Sequence, residues 1–472
     1  MAAVLHCRRF GFTKPGVCLL LIAGAWRLPA QGFTFSGSLR ARVENWDWFE
    51  ATPAQNTYTY GAGALRLTVG QAWKRAEWQA EGAFPVMLDL PANAVAPGLQ
   101  GPLGYGADYF LGNGQRNLAA AALRRAFASI NSESGRLKLR IGRFEFADGG
   151  ETAPPDADLA ALKRERINQR LIGTFNYAQR SFDGLLFAWH QDRSDVSVMA
   201  ARATEGSFQL RALGEIDVEL AYGAYTRYLP TAAARSEVRI FALYYQDRRG
   251  LPETGRRALR LATPGAHFIT QAKAGPGTVD IVLWGAGQFG RWGLQRQLAG
   301  EIAAEGGYRL PIRLQPWLRA GYFRNTGDSD PNDSRHTTFF RVLSNPRAYA
   351  RMPFYVLMNA EDRFLQFKTV ARKVAFRSEL HSVRLSNSRD LWYDGGGAFQ
   401  SSTFGYLGRP AGGNRNVAAS LDLSADYTPT ESTTLSFYAG VARGSAVTAF
   451  VFPAAGARPL AHLFSLEFIR RF

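Results

Sequence analysis

Cysteine is nearly missing: Cys7 and Cys18 are the two in 472 residues. Both lie in residues 1–30, where Arg8, Arg9 and Lys14 precede a short apolar run, Val17 to Ala25. Leu28-Pro29-Ala30 supplies a small-residue cleavage site before Gln31. These features predict a cleaved export signal over residues 1–30, of the general secretory kind, since the residues after Arg8-Arg9 fit a twin-arginine signal poorly. Val17 also stands where a lipoprotein would carry Gly or Ala before its cysteine. The remaining chain, 31–472, would then hold no disulfide, no thiol nucleophile and no thiolate metal site.

Long apolar runs are missing too. No stretch of about 20 apolar residues follows the signal, which excludes a transmembrane helix. No Pro- or Ser-rich hinge divides the chain, and no amphipathic helix of convincing length emerges, so residues 31–472 read as a single unit. Histidine is scarce. Beyond the signal there are His190, His267, His336, His381 and His462, none in a metal-spaced pair, and neither GxSxG nor HExxH occurs. His381-Ser382, and His190 with Asp192 or Asp195, are the arrangements that would serve a hydrolase. Scattered strand-end histidines are the simpler account, and the expectation is that the protein is not an enzyme.

What remains is alternation. In Arg136 to Arg143, Leu137, Leu139 and Ile141 interleave with Arg136, Lys138 and Arg140. That is a strand with one oily and one cationic face. Upstream, Phe33, Phe35, Gly37, Leu39, Ala41 and Val43 share one parity and Thr34, Ser36, Ser38, Arg40 and Arg42 the other. Trp46, Trp48 and Phe49 follow, placed where a strand would meet lipid headgroups. Tyr60 to Val69, which carries Arg66, and Trp73 to Phe84 form the next pair. Ala119 to Ile130 turns through Asn131 to Gly135 into Leu137 to Phe146. Ile216 to Ala224 alternates against Asp217 and Glu219, and Val417 to Ala425 against Ser420, Asp422, Ser424 and Asp426. A terminal Phe472 closes the last strand. Residues 85–115, 147–162 and 327–352 lack any period and read as long extracellular loops. Lys163, Arg164, Glu165, Arg166 and Arg170 form the densest basic cluster.

This pattern predicts an all-β fold: a transmembrane antiparallel up-and-down barrel, about 16 to 18 strands by length. Formal charge is +17, or +13 without residues 1–30. The basic residues are spread singly along strands, unlike a nucleic-acid groove or tail. A low-dielectric wall would focus their field into the lumen and concentrate anions there.

Several segments resemble the alginate-export family of outer-membrane barrels. They are Leu139-Arg140-Ile141-Gly142-Arg143-Phe144-Glu145 with Asp148-Gly149, and Arg170-Leu171-Ile172-Gly173-Thr174-Phe175 with Arg180-Ser181-Phe182-Asp183-Gly184. Gly327-Asp328-Ser329-Asp330-Pro331-Asn332-Asp333 with Thr338-Phe339 adds a third. Leu421-Asp422-Leu423 and Tyr438-Ala439-Gly440 also fit. The resemblance implies a monomeric barrel of about 18 strands in the bacterial outer membrane, whose arginine-lined, loop-gated lumen passes an anionic polysaccharide. By that analogy Arg143 and the Arg164, Arg166 and Arg170 cluster line the constriction, with Lys163 beside them. Glu145, Asp148 and Glu165 would hold them in place. Arg40, Arg42, Arg66, Lys138 and Arg140 complete the expected basic path.

The expected partners are outer-membrane lipid, an anionic saccharide, the barrel-assembly machinery through Phe472, and periplasmic export components; nucleic acid is not among them. A general diffusion porin without a polymer substrate stays open, and a barrel hydrolase behind it. Two motifs are set against bland readings. Gly285-Ala286-Gly287-Gln288-Phe289-Gly290 matches GxGxxG, but no helix follows it, so strand glycines are expected. Asp328, Asp330 and Asp333 imitate a calcium loop, yet Asp333 sits where an EF-hand needs Gly and Phe339 where it needs Glu. A looser loop-bound Ca²⁺ on these carboxylates is the one cofactor kept as a candidate.

Overall fold

Residues that alternate every second position share a face only if the backbone is extended, and the chain obeys this around a full circle. The structure is a computed structural model describing residues 32–173, 177, 179–343, 350–456 and 459–472; the expected export signal lies outside them, as do Thr174 and Phe175. Eighteen long strands make up the wall. The first five are β1 (Thr34–Asp47), β2 (Thr57–Ala72), β3 (Ala76–Leu88), β4 (Ala122–Asn131) and β5 (Leu137–Phe144). Then come β6 (Phe182–Gln191), β7 (Ser194–Thr204), β8 (Glu215–Pro230), β9 (Ala234–Asp247) and β10 (Leu259–Ala274). β11 (Gly277–Trp292), β12 (Gln295–Arg309), β13 (Trp317–Asn325) and β14 (Ala360–Ala371) continue the wall. β15 (Val374–Leu385), β16 (Asn416–Thr430), β17 (Thr433–Gly444) and β18 (Leu460–Arg471) complete it. Each pairs antiparallel with the next, and β18 returns to β1 from Ser38↔Arg471 to Asp47↔His462, so the sheet has no free edge. No helix among the described residues is long and apolar enough to cross a membrane.

One end carries short turns, such as residues 192–193, 275–276 and 372–373. The other carries long connections: 89–121, 145–181, 326–359, 386–415 and 445–459. β3 runs on through Pro85 to Leu88, past the expected strand end, because Ala64 pairs opposite Pro85. Leu and Ile side chains such as Ile141, Ile240, Leu283, Ile302, Leu365 and Leu466 stand exposed on the outer face, which is the surface lipid would cover.

Two parity readings need correction. Trp46, Trp48 and Phe49 are fully buried, packed with Tyr58, Tyr105 and Phe452 inside the long-loop end. Trp46 and Trp48 share the inward parity of Arg42 and Glu44, so they support the loops and form no outer girdle. On β8 it is Ile216, Val218, Leu220 and Tyr222 that point inward, with the Phe146 ring 5.0 Å from Tyr222. Asp217 and Glu219 are therefore on the outer face, near Arg202 and Arg248. The strand top rises past the lipid belt, where its inner face meets loops and its outer face meets water.

Among the described residues, three short helices sit in the long connections: α1 (Tyr105–Asn113), α2 (Ala157–Arg166) and α3 (Ala446–Val451). These helices depart from the expectation that the chain holds no helix of convincing length. The Lys163–Arg166 cluster lies on α2.

Candidate functional site

The lumen face of β1 to β5 is a dense field of arginines and glutamates. Arg40 and Arg42 project inward beside Glu44 and meet Glu467 of β18. The contacts are Arg40 Nε to Glu467 at 2.5 Å, Arg42 Nε to Glu467 at 2.7 Å and Arg42 Nη1 to Glu44 at 2.6 Å. Glu44 also accepts from Trp46 Nε1 and Tyr60 Oη. Lower on the wall, Lys138 and Arg140 share Glu77 at 2.7 and 3.3 Å, and Arg140 lies over the Phe127 ring at 3.9 Å. Lys138, Arg140, Glu77 and Gln79 line a cavity of about 280 Å³ that opens beside Thr34 and Gly70.

Alternation alone does not reveal the next pair. The register of β3 against β4 slips between Glu81 and Gly82, leaving Arg124 without an opposite residue. This bulge turns consecutive Arg124 and Arg125 toward the same carboxylates, Glu81 and Glu145. Glu145 is thus a partner of arginines, though of these two rather than of Arg143. Arg143 itself shares the parity of Leu139 and Ile141, so it faces outward. It grips Asp183 of β6 at 2.7 and 2.5 Å and donates to Leu213 O. Arg143 therefore belongs to no constriction. Arg66 makes no ion pair among the described residues.

The connection 145–181 crosses the lumen. Asp156 caps α2 by accepting from Leu159 N at 2.9 Å, with Pro154-Pro155 just ahead of it. From the helix, Lys163 reaches Glu237 of β9 at 2.8 Å. Arg166 forms a fork on Glu305 of β12, at 2.6 and 3.1 Å, and Arg170 joins it at 3.3 Å. Arg319 of β13 approaches the same carboxylate from the wall at 3.0 Å. Glu165 is held by Lys368 of β14 at 2.7 Å and Arg377 of β15 at 3.0 Å. Burial works against its charge, but these cations overcome that and hold its carboxyl down at about 2. Asp148 accepts from Leu171 N and Ile172 N at 2.9 and 2.7 Å, pinning the loop on itself. Its burial pushes the carboxyl up to about 6, against the pull of Arg239. Tyr177 lies under Arg40, 4.9 Å from guanidinium carbon to ring centre. The loop thus touches β1, β9, β12, β14 and β15: it is a plug.

A second connection, 326–359, folds in alongside. Arg341 meets Glu301 at 2.7 Å, and Gly173 N and Leu343 N exchange bonds with Leu343 O and Leu171 O, tying the two loops together. Arg164 alone of the α2 cluster is exposed and makes no ion pair among the described residues. Asp328, Asp330 and Asp333 do not converge. Each caps a backbone N–H two residues on, at Asp330, Asn332 and Arg335. Gly285, Gly287 and Gly290 lie within β11 as strand glycines, and Gly285 and Gly287 bound a groove of about 680 Å³ with Gly265 and Gly300. His381 points inward and Ser382 outward, so they cannot act as a pair. His190 meets Asp195 at 2.6 Å in the exposed β6–β7 hairpin.

A closed antiparallel barrel with an apolar outer belt, an ionised interior and infolded loops is an outer-membrane channel of the porin kind, and its place is the bacterial outer membrane. The chain belongs to the alginate export family, with the match running over residues 34–449. No curated protein sequence matches it. Among solved structures it is similar to Pseudomonas aeruginosa OpdK, solved with vanillate, at TM-score 0.57 and 9% identity over 93% of this chain and 98% of that one. Pseudomonas aeruginosa OccK9 (OpdG) gives 0.57 and 11% over the same shares. Acinetobacter baumannii OccAB4 gives 0.54 and 9% over 94% and 100%. Identities this low speak for the fold alone.

Proposed function

We propose that the channel is a passive, anion-preferring conduit for an acidic oligo- or polysaccharide of the alginate kind. The observation that carries this is the β1–β5 wall. There Arg40, Arg42, Arg66, Arg124, Arg125, Lys138 and Arg140 outnumber Glu44, Glu77, Glu81, Glu145 and Glu467. A uronate carboxylate can take the place of a protein carboxylate on a guanidinium fork at little net cost, because one ion pair replaces another. Repeated exchange along the wall would move a polyanion without a deep trap. Arg66 and the exposed Arg164 supply cations not already matched. The plug sets the size limit, and the chain acts without catalysis. It works as a monomer in outer-membrane lipid, is assembled through its C-terminal Phe472, and receives polymer from periplasmic export components.

The ion pairing itself favours a second reading. Most lumen cations face a carboxylate, and a balanced lumen is what a general diffusion porin needs. Single-channel recording in a planar bilayer separates the two. Anion-selective current blocked by oligouronate, with the block weakened at least tenfold in Arg66→Ala or Arg164→Ala, supports the conduit. Unselective current without block leaves the diffusion porin.

A further inference from the structure

Three acceptor-bearing side chains meet on the inner face of β15 and β16. Glu379 and His381 are two residues apart on β15, so both face inward, and Asp422 of β16 lies in register with Glu379. One ligand atom from each lies within 4.8 Å of the other two, and all three residues are 2% exposed. We propose that Glu379, His381 and Asp422 bind one divalent transition-metal ion of the zinc class.

The histidine is set up as a ligand. Its Nδ1 meets Asp362 Oδ2 at 2.9 Å, and Asp362 is itself held by Tyr355 Oη at 2.6 Å. A carboxylate on Nδ1 fixes the tautomer in which Nε2 carries the lone pair and raises its basicity, as in carboxylate–histidine–metal triads. Nε2 is buried without a hydrogen-bond partner among the described residues. The ring is steadied by Phe364, 5.7 Å away at an interplanar angle of 30°. The carboxylates are oriented as well. Asp422 accepts from Tyr438 Oη at 2.5 Å and from Arg351 N at 2.8 Å, while Gln366 Nε2 donates to Glu379.

The charge count points the same way. Asp362, Glu379 and Asp422 make no ion pair with lysine or arginine among the described residues, and His381 is the one basic side chain bonded to this group. Arg377 is engaged by Glu165, and Arg351 lies near Glu379 and Asp426 with no ion pair among the described residues. Buried carboxylates in excess of cations are costly unless a cation joins them. One imidazole with two carboxylates suits Zn²⁺ or a similar borderline ion, whereas Ca²⁺ takes six to eight oxygens. Bonds of about 2.0–2.2 Å place neighbouring ligands about 3.3 Å apart. Small side-chain rotations close the remaining gap.

The test is zinc binding to tag-free, chelator-stripped folded barrel, by calorimetry and elemental analysis, with heat-modifiable gel mobility reporting the fold. The expected result is one Zn²⁺ per barrel, lost in His381→Ala and weakened at least tenfold in Glu379→Gln. Asp362→Asn should weaken it about 10- to 100-fold. Co²⁺ added to wild-type protein should give the visible absorption of an ordered N/O site, which needs no variant to fold. Failure of the wild-type barrel to bind either ion stoichiometrically overturns the proposal and leaves His381 as a partner of Asp362 alone. So does binding that is unchanged in folded His381→Ala. None of these readouts depends on what the channel conducts.

Discussion

Glu305 is where the plug's charge converges: Arg166, Arg170 and Arg319 all donate to it, in a spot closed to solvent. A buried carboxylate among arginines adds little net stability by itself, but its removal strands the cations that remain. Glu305→Gln keeps the shape and removes the charge. It should lower the unfolding free energy by about 3 kcal/mol, read as an earlier transition in heat-modifiable gel mobility. Two of the three arginines belong to the plug, so channel recordings should also show longer and larger openings. A variant with wild-type melting and wild-type closure would show that Arg166 and Arg170 do not depend on Glu305. Arg143 makes the opposite point at the same scale. Its parity with Leu139 and Ile141 places it outside, and the family resemblance that placed it in the constriction overrode evidence available in its own strand.

Helix α2 shows why the plug was hard to read while the barrel was easy. Strand alternation survives in the sequence because lipid outside and water inside are different solvents on the two faces. α2 packs on a charged wall, so its buried residues include Lys163 and Arg166 as well as Leu159 and Leu162, and no apolar stripe marks it. The available signal was at its start, where Pro154-Pro155-Asp156 is a capping sequence. The Glu379-x-His381 pair matches no HExxH-type motif, yet on a strand residues two apart share a face. Docking of α2 carries a testable pH dependence. Glu165 is held near 2 in the folded plug against an ordinary value of 4.5. A depressed carboxyl stabilises fully above its ordinary value and loses that contribution as pH falls toward the folded one. The Glu165 contribution should therefore be constant above about pH 4.5, and open probability should rise as the bath is acidified from there toward pH 2. Glu165→Gln should be leakier at neutral pH and lose that rise. An acid response unchanged in Glu165→Gln would assign it to another group.

At the scale of the whole molecule, net charge turned out to be a poor guide to lumen charge. Part of the excess sits on the outer face at the long-loop end, where Arg260, Arg291 and Arg296 stand side by side in register, exposed, on β10, β11 and β12. Closure is a second global property, and it depends on a small residue. Gly37 N and O bond Phe472 O and N at 2.8 and 3.0 Å, extending the β1–β18 seam past Ser38↔Arg471. A Cβ on Gly37 would stand 2.6 Å from the Phe472 ring and 2.8 Å from Arg66 O. Glycine within a strand ordinarily weakens it, so alanine would be the better residue on propensity alone. Here the overlap wins, and Gly37→Ala should destabilise the barrel by about 1–3 kcal/mol, seen as a lower transition in heat-modifiable mobility. The ring can turn away, but the Arg66 carbonyl belongs to β2 and is fixed by the sheet. Phe472→Ala in the Gly37→Ala background should therefore recover part of the loss and leave the rest. If Gly37→Ala melts with the parent, the seam is looser than these distances imply, and Phe472 contributes to closure through its backbone bonds alone.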